Sequence, residues 1–417
     1  MGIRTFVNQS NRRTMGSARK VHAPASDLIL VAIVIALGIF GLLMLYSASP
    51  DYSLRTFKSA SFIFNKQLIF MTVGTLAAFI LSRIDYHLWQ KYAVLIMGVI
   101  AIMLIAVLFS NDERNRAVRT FFGGSVQPSE FAKIATIIYL SIWLYSKRDH
   151  LLDIQLGLIP LAFILGAIGG LIFLQPDISA AMTIFILGGL LFFLAGGDMR
   201  QIILFCIVAL AAGWLVVQFS STGKARIISY IAGLKDPLKS SDHVLWSLEA
   251  IVRGKFFGVG IGKATTNWIG LPFAATDSIF AVIVEDLGLC GALGLIGLYA
   301  ALGWRGLKIA GKAPDSLGSM MAAGLTFWIL LEAGINMAVM VGLLPFAGNA
   351  LPFVSAGGSN LLSTLAAIGI LLNISRQSGL TAREGGERKT YSASVDLRRR
   401  DRRRSVSRTR RPANHAE

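Results

Sequence analysis

The chain has 417 residues, of which 54% are hydrophobic and only 15% are charged, whereas about a quarter of the residues of a soluble domain are charged. The net charge of +17 does not indicate nucleic-acid binding, because residues 1–27 contribute +4 of it and residues 376–417 contribute +8. Basic tails beside apolar segments are typical of orientation signals and of contacts with anionic lipid. Composition therefore argues against a soluble protein and favours a membrane protein.

Long unbroken apolar stretches predict membrane-spanning helices, since a transmembrane barrel would show short alternating segments instead. Ten such stretches occur, at residues 28–48, 66–83, 92–109, 130–146, 157–174, 178–196, 201–219, 278–304, 319–342 and 360–376. An even number of spans places both termini on one side of the membrane, and the basic tails place that side in the cytoplasm. The sequence thus predicts an all-α integral membrane protein with about ten transmembrane helices.

Three regions follow from these spans. Residues 1–27 form a basic cytoplasmic tail, residues 28–376 form the membrane domain, and residues 377–417 form an Arg-rich cytoplasmic tail that we expect to be disordered. A large outer loop at 220–277 separates the seventh and eighth spans. This loop and the outer loop at 110–129 carry many lysines and arginines, which indicates an anionic ligand on the outer face or simply solvated charge.

Ionisable residues in or beside apolar spans are costly, so they mark functional or structural sites. Glu130 and Lys133 lie three residues apart at the start of the fourth span, where they can form an ion pair. Asp177 directly precedes the sixth span and can cap that helix. Structural roles explain these residues at least as well as catalytic roles do.

The sequence TDSIFAVIVEDLG places Asp277 at the outer mouth of the eighth span and Glu285 and Asp286 about two turns deeper. A carboxylate in a partly dry mouth can act as a general base. The deeper pair is expected to bond to neighbouring helices, such as the ninth, which contains Glu332 and Asn336. Asp277 is therefore the candidate catalytic residue, and Glu285 and Asp286 are candidates for support.

Two glycine-rich segments flank this region. The glycines at 254–262 allow close backbone approach or tight turns, and residues 343–360 combine Pro and Gly in a stretch too polar to face lipid, which predicts a packed re-entrant turn. Cys206 and Cys290 lie within apolar runs and suggest no disulfide. No spacing typical of a metal site is present.

In their order, these motifs resemble the SEDS family (shape, elongation, division and sporulation), which includes RodA and FtsW. The resemblance covers residues 28–376 and rests on YSAS at 46–49, Arg119, QPSEFAK at 127–133, QPD at 175–177, Asp236-Pro237, the glycines at 254–262, Leu271-Pro272, TDSIFAVIVEDLG and LPFVSAGGS at 351–359. It implies ten transmembrane helices and peptidoglycan glycosyltransfer from lipid II. The expected partner is a class B penicillin-binding protein, a transpeptidase, and the expected location is the bacterial cytoplasmic membrane.

By this resemblance, Asp277 takes the proton from the acceptor 4-hydroxyl, and undecaprenyl pyrophosphate leaves from the donor. Cations must then stabilise the pyrophosphate; the candidates are Arg119, Lys133, Arg226, Arg253 and Lys255. A divalent cation (Mg²⁺ or Mn²⁺) would suit the same chemistry, although the sequence shows no ligands for it.

The chain departs from the family pattern at Phe273, Ala275 and Ala356, where the family commonly has Glu, His and Tyr. All three positions lie in motifs around the proposed base. Two alternative functions therefore stay open at this point: a lipid II flippase or transporter, suggested by the intramembrane acids, and a non-catalytic scaffold for a transpeptidase.

Overall fold

A computed structural model describes residues 27–109, 120, 126–264 and 274–380, and these residues fold into helices without a β-strand. Thirteen α-helices are described: α1 Leu28–Ala48, α2 Pro50–Phe57, α3 Phe62–Arg83, α4 Leu88–Leu108, α5 Pro128–Lys147, α6 Ile159–Leu174, α7 Ile178–Leu194, α8 Met199–Phe219, α9 Ser221–Lys235, α10 Asp242–Gly254, α11 Ile279–Ala310, α12 Ser316–Met340 and α13 Gly358–Leu380. A π-helical turn, Ile154–Leu158, leads into α6.

Each of the ten predicted spans coincides with one of these helices, and the all-helical membrane class is confirmed. Eight described helices are long and apolar enough to cross a membrane. The two remaining predicted spans are α7, which has only 17 residues, and α5, which carries Glu130, Lys133 and Lys147. The total of ten crossings stays a prediction. Helix α13 continues to Leu380, four residues beyond the predicted end of the membrane domain.

The bundle has a buried centre and a lipid-facing periphery. Most residues in the apolar stretches of α11, α12 and α13 are buried. Helix α8 is almost wholly exposed, and α3 and α4 are largely exposed. Helix α5 belongs to the centre, because 13 of its 20 residues are buried. Its Glu130 and Lys133 side chains are therefore surrounded by protein, which is where ionisable groups in membrane helices are tolerated.

The predicted eighth span is not a continuous helix. Helix α11 breaks at Gly288, whose φ of 69° lies in the left-handed region that favours glycine. The break frees backbone groups, and the segment 255–260 pairs with them. Val259 N donates to Glu285 O at 2.9 Å and Gly260 N to Asp286 O at 3.0 Å, while Leu289 N donates to Lys255 O at 3.0 Å. Backbone groups freed within a membrane protein must be satisfied in this way.

The other predicted non-helical segment also packs against the bundle. Between α12 and α13 the chain makes turns without a helix, and Leu351, Phe353, Val354 and Ser355 are buried there. The predicted packed turn is thus present. The segment 220–277 is more structured than the sequence suggested, because it contains α9, α10 and a short 3₁₀ turn at Pro237–Lys239.

A polar cluster joins three parts of the chain at the end of α11 far from Asp277. The two ring nitrogens of His87 lie 2.7 Å from Asp85 Oδ1 and 2.9 Å from Asp315 Oδ2. Tyr86 donates its hydroxyl to Asp315 Oδ1 at 2.9 Å, and Gln377 Nε2 donates to Asp85 Oδ1 at 2.8 Å. The α3–α4 corner, the start of α12 and the end of α13 are thereby connected; we call these five residues the His87 cluster.

Candidate functional site

Asp277 lies in the turn that precedes α11, and two hydrogen bonds from the segment between α12 and α13 hold that turn. Ala356 N donates to Ala275 O at 2.8 Å, and Ser355 Oγ donates to Thr276 O at 2.6 Å. Asp277 itself is partly buried. Its surroundings match the predicted mouth between protein and water, where the environment of a carboxylate differs from bulk solvent.

A second turn, at Gly348 and Asn349, lies directly against the Asp277 side chain. A methyl group added at Gly348 would stand 3.4 Å from Asp277 Oδ2. Asn336, on α12, connects the two turns, since its Nδ2 donates to Asp277 O at 2.8 Å and to Asn349 O at 2.6 Å. The candidate site is therefore built from two turns and one helix that are distant in the sequence.

Asp286 has a structural role in this arrangement. Its carboxylate accepts hydrogen bonds from Ala264 N at 3.1 Å, from Gly262 N at 3.4 Å and from the Ser47 hydroxyl. It thus anchors the glycine-rich segment to α11 and α1. Glu285 is fully buried beside it. The contacts of Asp286 are those of a supporting residue, and the supporting role of Glu285 stays a prediction.

Glu130 and Lys133 belong to a buried network that extends beyond their predicted pair. Lys133 Nζ donates to Glu130 Oε1 at 2.9 Å and also to Glu332. Asn360 Nδ2 donates to Glu130 Oε2 at 2.9 Å and to Glu332 Oε2 at 3.1 Å. These four residues, here called the Lys133 quartet, join α5, α12 and α13. Two carboxylates therefore surround the ammonium of Lys133, which the sequence offered as one of the pyrophosphate ligands.

Asp177 caps α7 as predicted and also links two motifs. Its Oδ1 accepts from Ala180 N at 3.2 Å, while its Oδ2 accepts from Gln127 Nε2 at 2.9 Å and from Ser129 Oγ at 3.0 Å. The first of these bonds is the helix cap. The other two bring QPSEFAK and QPD together, which the separation of the motifs in the sequence did not reveal.

The predicted cations occupy different surroundings. Arg226 lies over the Phe346 ring at 5.4 Å from its centroid, and Phe346 is two residues from Gly348. Arg253 pairs with Glu249, and Lys255 is exposed. Arg119 lies outside the described residues. Through Phe346, Arg226 lies close in the fold to the turn that contacts Asp277.

Within the part of the chain that the structure describes, no cluster of three or more His, Cys, Asp or Glu side chains is arranged to hold a metal ion. The described residues therefore do not provide a protein-made site for the expected divalent cation. That cation stays a prediction.

Sequence reasoning named Asn336 only as a neighbour of the deeper acids and did not single out Gly348 or Ser355. The available signal for Asn336 was an uncharged polar residue within an apolar span, which is costly in a membrane and therefore informative. Nothing in the sequence indicated which backbone groups it bonds.

Together, the central helices, the broken α11 and the turns around Asp277 define a multi-pass helical membrane protein with a polar site at one end of its bundle. The chain belongs to the family of cell cycle proteins that comprises FtsW, RodA and SpoVE, because the family profile matches residues 27–380. The resemblance drawn from the motifs is thus confirmed.

Two relatives illustrate the similarity. The chain is 37% identical over 354 residues to a probable peptidoglycan glycosyltransferase FtsW of Trichlorobacter lovleyi, covering 84% of this chain and 93% of the relative. It is 34% identical over 356 residues to the stage V sporulation protein E of Bacillus subtilis, covering 84% and 97%. Both similarities extend over nearly the whole of the relative.

Solved structures share the fold. One, described as the structural coordination of polymerization and crosslinking by a peptidoglycan synthase complex, matches with a TM-score of 0.70 and 25% identity over 85% of this chain and 98% of that chain. The rod shape determining protein RodA of Thermus thermophilus matches with a TM-score of 0.62 and 24% identity, covering 84% and 97%. This second likeness supports the fold alone.

Proposed function

We propose that this protein is a peptidoglycan glycosyltransferase that polymerises lipid II on the outer face of the bacterial cytoplasmic membrane, for cell elongation or division. The observation that carries the proposal is the fixed, partly buried Asp277 at the mouth of α11, in a chain whose family relatives include a named peptidoglycan glycosyltransferase. Both termini lie in the cytoplasm in this proposal, so the site faces outward.

The reaction assigns one proton transfer to Asp277. Its carboxylate takes the proton of the acceptor's 4-hydroxyl, and the hydroxyl oxygen forms a bond to the donor's anomeric carbon. The bond between that carbon and the pyrophosphate oxygen breaks, so undecaprenyl pyrophosphate leaves with the electron pair. A positioned general base of this kind contributes roughly 10²–10⁴-fold to a rate.

Cations near the departing pyrophosphate stabilise its charge. Arg226, Arg253, Lys255 and Arg119 are the proposed contributors, and Arg226 is favoured by its position over Phe346. Lys133 is less suited to this role, because Glu130 and Glu332 already neutralise its charge inside the bundle. We therefore propose that Lys133 fixes α5 against α12.

The intramembrane acids that motivated a transporter are Glu285, Asp286 and Glu332. Glu332 belongs to the Lys133 quartet, and Asp286 holds the glycine-rich segment. These contacts account for Asp286 and Glu332 without a transport path. We further propose that a class B penicillin-binding protein is the partner that crosslinks the glycan product, in keeping with the synthase complex whose structure this chain resembles.

The test is to supply purified protein with lipid II and Mg²⁺ or Mn²⁺, with and without a class B penicillin-binding protein, and to separate the products by size. Glycan strands that need this protein are the expected result. A parallel assay follows fluorescent lipid II across protein-containing vesicles. Translocation without polymer would overturn the proposal in favour of a flippase, and transpeptidase activation with neither activity would favour a scaffold.

A further inference from the structure

The side chain of Asn336 joins the two turns around Asp277. It is 2% exposed on α12, and both hydrogens of its Nδ2 are used, one on Asp277 O and one on Asn349 O. An amide nitrogen has two donors and no accepting role, so the two carbonyl oxygens fix the orientation of this side chain. Both carbonyls must therefore stay within hydrogen-bonding reach of one atom.

These two bonds constrain where the Asp277 carboxylate stands, together with the bonds from Ser355 and Ala356 that hold the same turn. One bond fixes the backbone of Asp277 itself. The other fixes the residue after Gly348, and a methyl group on Gly348 would be only 3.4 Å from Asp277 Oδ2. The turn that carries the base and the turn that bounds its carboxylate are thus held at a set separation by Asn336.

The remaining polar atoms of this contact suggest that it is kept for its geometry. Asn336 Oδ1 and Asn349 Nδ2 are buried and make no hydrogen bond to the residues that the structure describes. A buried polar atom without a partner is costly, and a polar residue in an apolar helix is also costly. An apolar residue at position 336 would avoid the cost of burying an unbonded Oδ1, but it could not donate hydrogen bonds to the two turns.

We propose that Asn336 is a positioning residue for the glycosyltransfer step, setting the Asp277 carboxylate against the acceptor hydroxyl by fixing the base turn to the Gly348–Asn349 turn. This inference rests on the proposed function. Displacement of a catalytic group by about 1 Å can cost roughly 10²-fold in rate. Asn336 acts through Asp277 and does not itself exchange a proton.

The chain offers a matched control in Asn373, which is 1% exposed on α13 and also bridges separate segments. Its Nδ2 donates to Ser82 O at 3.0 Å, and its Oδ1 accepts from Tyr86 N at 3.1 Å. These contacts lie beside the His87 cluster, far along the bundle from Asp277. Asn336→Leu and Asn373→Leu therefore remove the same kind of buried bridge at two different places.

The test measures kcat, KM for lipid II and the pH profile of kcat for the full chain with its transpeptidase partner. For Asn336→Leu, we expect kcat to fall about 10–100-fold and KM to stay within about threefold of the wild-type value. We also expect a shift in the limb of the pH profile that reports the protonation of the base. Asn373→Leu is expected to keep the wild-type kcat and pH profile. Wild-type kcat in Asn336→Leu, or an equal loss in both variants, would overturn the proposal.

Hydrogen exchange provides a readout independent of activity. Asn336→Leu should raise amide exchange in residues 275–279 and 348–351, and Asn373→Leu should raise it only near residues 82–87. If Asn336→Leu fails to fold, Asn336→Asp, which keeps the size but loses both donors when ionised, takes its place in both measurements. Unchanged exchange in both turns would overturn the inference, whereas a wild-type protein that makes no glycan would overturn the proposed function instead.

Discussion

At the scale of single residues, the glycine-rich segment beside α11 shows how closely two backbones approach. Gly258 and Gly262 share a φ of 78°. A methyl group on Gly258 would collide with the carbonyl of Asp286, whereas no atom of the described residues lies within 4 Å of a methyl group on Gly262. The two positions thus have the same backbone requirement and differ in the space around them.

We expect Gly258→Ala to lower the free energy of unfolding by about 1–3 kcal/mol more than Gly262→Ala. Both variants place alanine in a left-handed backbone conformation that favours glycine, but only the methyl group at position 258 also collides with a neighbouring backbone. The apparent Tm of each variant in detergent checks this order. Equal Tm values for the two variants would mean that the segment does not pack against Asp286 as described.

At the scale of helices, the Lys133 quartet fixes α5 to α12 and α13. One buried ammonium is shared between Glu130 and Glu332, and the Trp328 ring lies 5.6 Å from it. Removing one member of a buried ion pair leaves a charge without compensation, which costs more than removing the pair together.

Lys133→Met should therefore destabilise the protein by about 3–5 kcal/mol, and adding Glu332→Gln should recover part of that loss. Lys147→Met is the control, since Lys147 is exposed at the far end of the same helix, and it should change stability by less than about 0.5 kcal/mol. A Lys133→Met variant with wild-type Tm and weakened lipid II binding would contradict this role and restore the predicted contact with pyrophosphate.

At the scale of the whole molecule, the His87 cluster closes the end of the bundle opposite Asp277. Burial alone would lower the pKa of His87, but hydrogen bonds and charge from Asp85 and Asp315 outweigh it and raise the pKa above its usual value of 6.5. Both ring nitrogens face carboxylate oxygens, and only the protonated ring can donate on both sides.

A raised pKa in the folded state stabilises the protein below the unfolded pKa, and this contribution is lost as the pH rises through the folded value. We expect the Tm advantage of wild type over His87→Gln to be larger at pH 6 than at pH 8.5. His150→Gln, at an exposed histidine, should show no such trend. An advantage that is constant or grows with pH would contradict a charged His87 in the cluster.

The sequence was sufficient for the helices but not for the contacts between them. Apolar length alone located α1 and α12, and the spacing of Glu130 and Lys133 predicted their pair. Glu332 could not be assigned to that pair, because it is about 200 residues away in the chain. The break at Gly288 was also missed, since a glycine in an apolar run does not show which segment will bond to the opened helix.

The local pattern around the proposed base has a similar limit. The sequence identified Asp277 and noted departures at Ala275 and Ala356, but it did not show that the backbones of these two residues are hydrogen-bonded to each other. The departures therefore meet at one place in the fold. Phe273, the third, lies outside the described residues.

The rate of glycan synthesis by Asp277→Asn, beside wild type and Asp242→Asn, tests whether Asp277 is the catalytic base. Asp242 is an exposed aspartate in the same 220–277 region, so its variant controls for the loss of a negative charge there. We predict a loss of at least about 10²-fold for Asp277→Asn, with lipid II still bound, and a near wild-type rate for Asp242→Asn. Glycan synthesis at the wild-type rate by folded Asp277→Asn would contradict the assignment of Asp277 as the base.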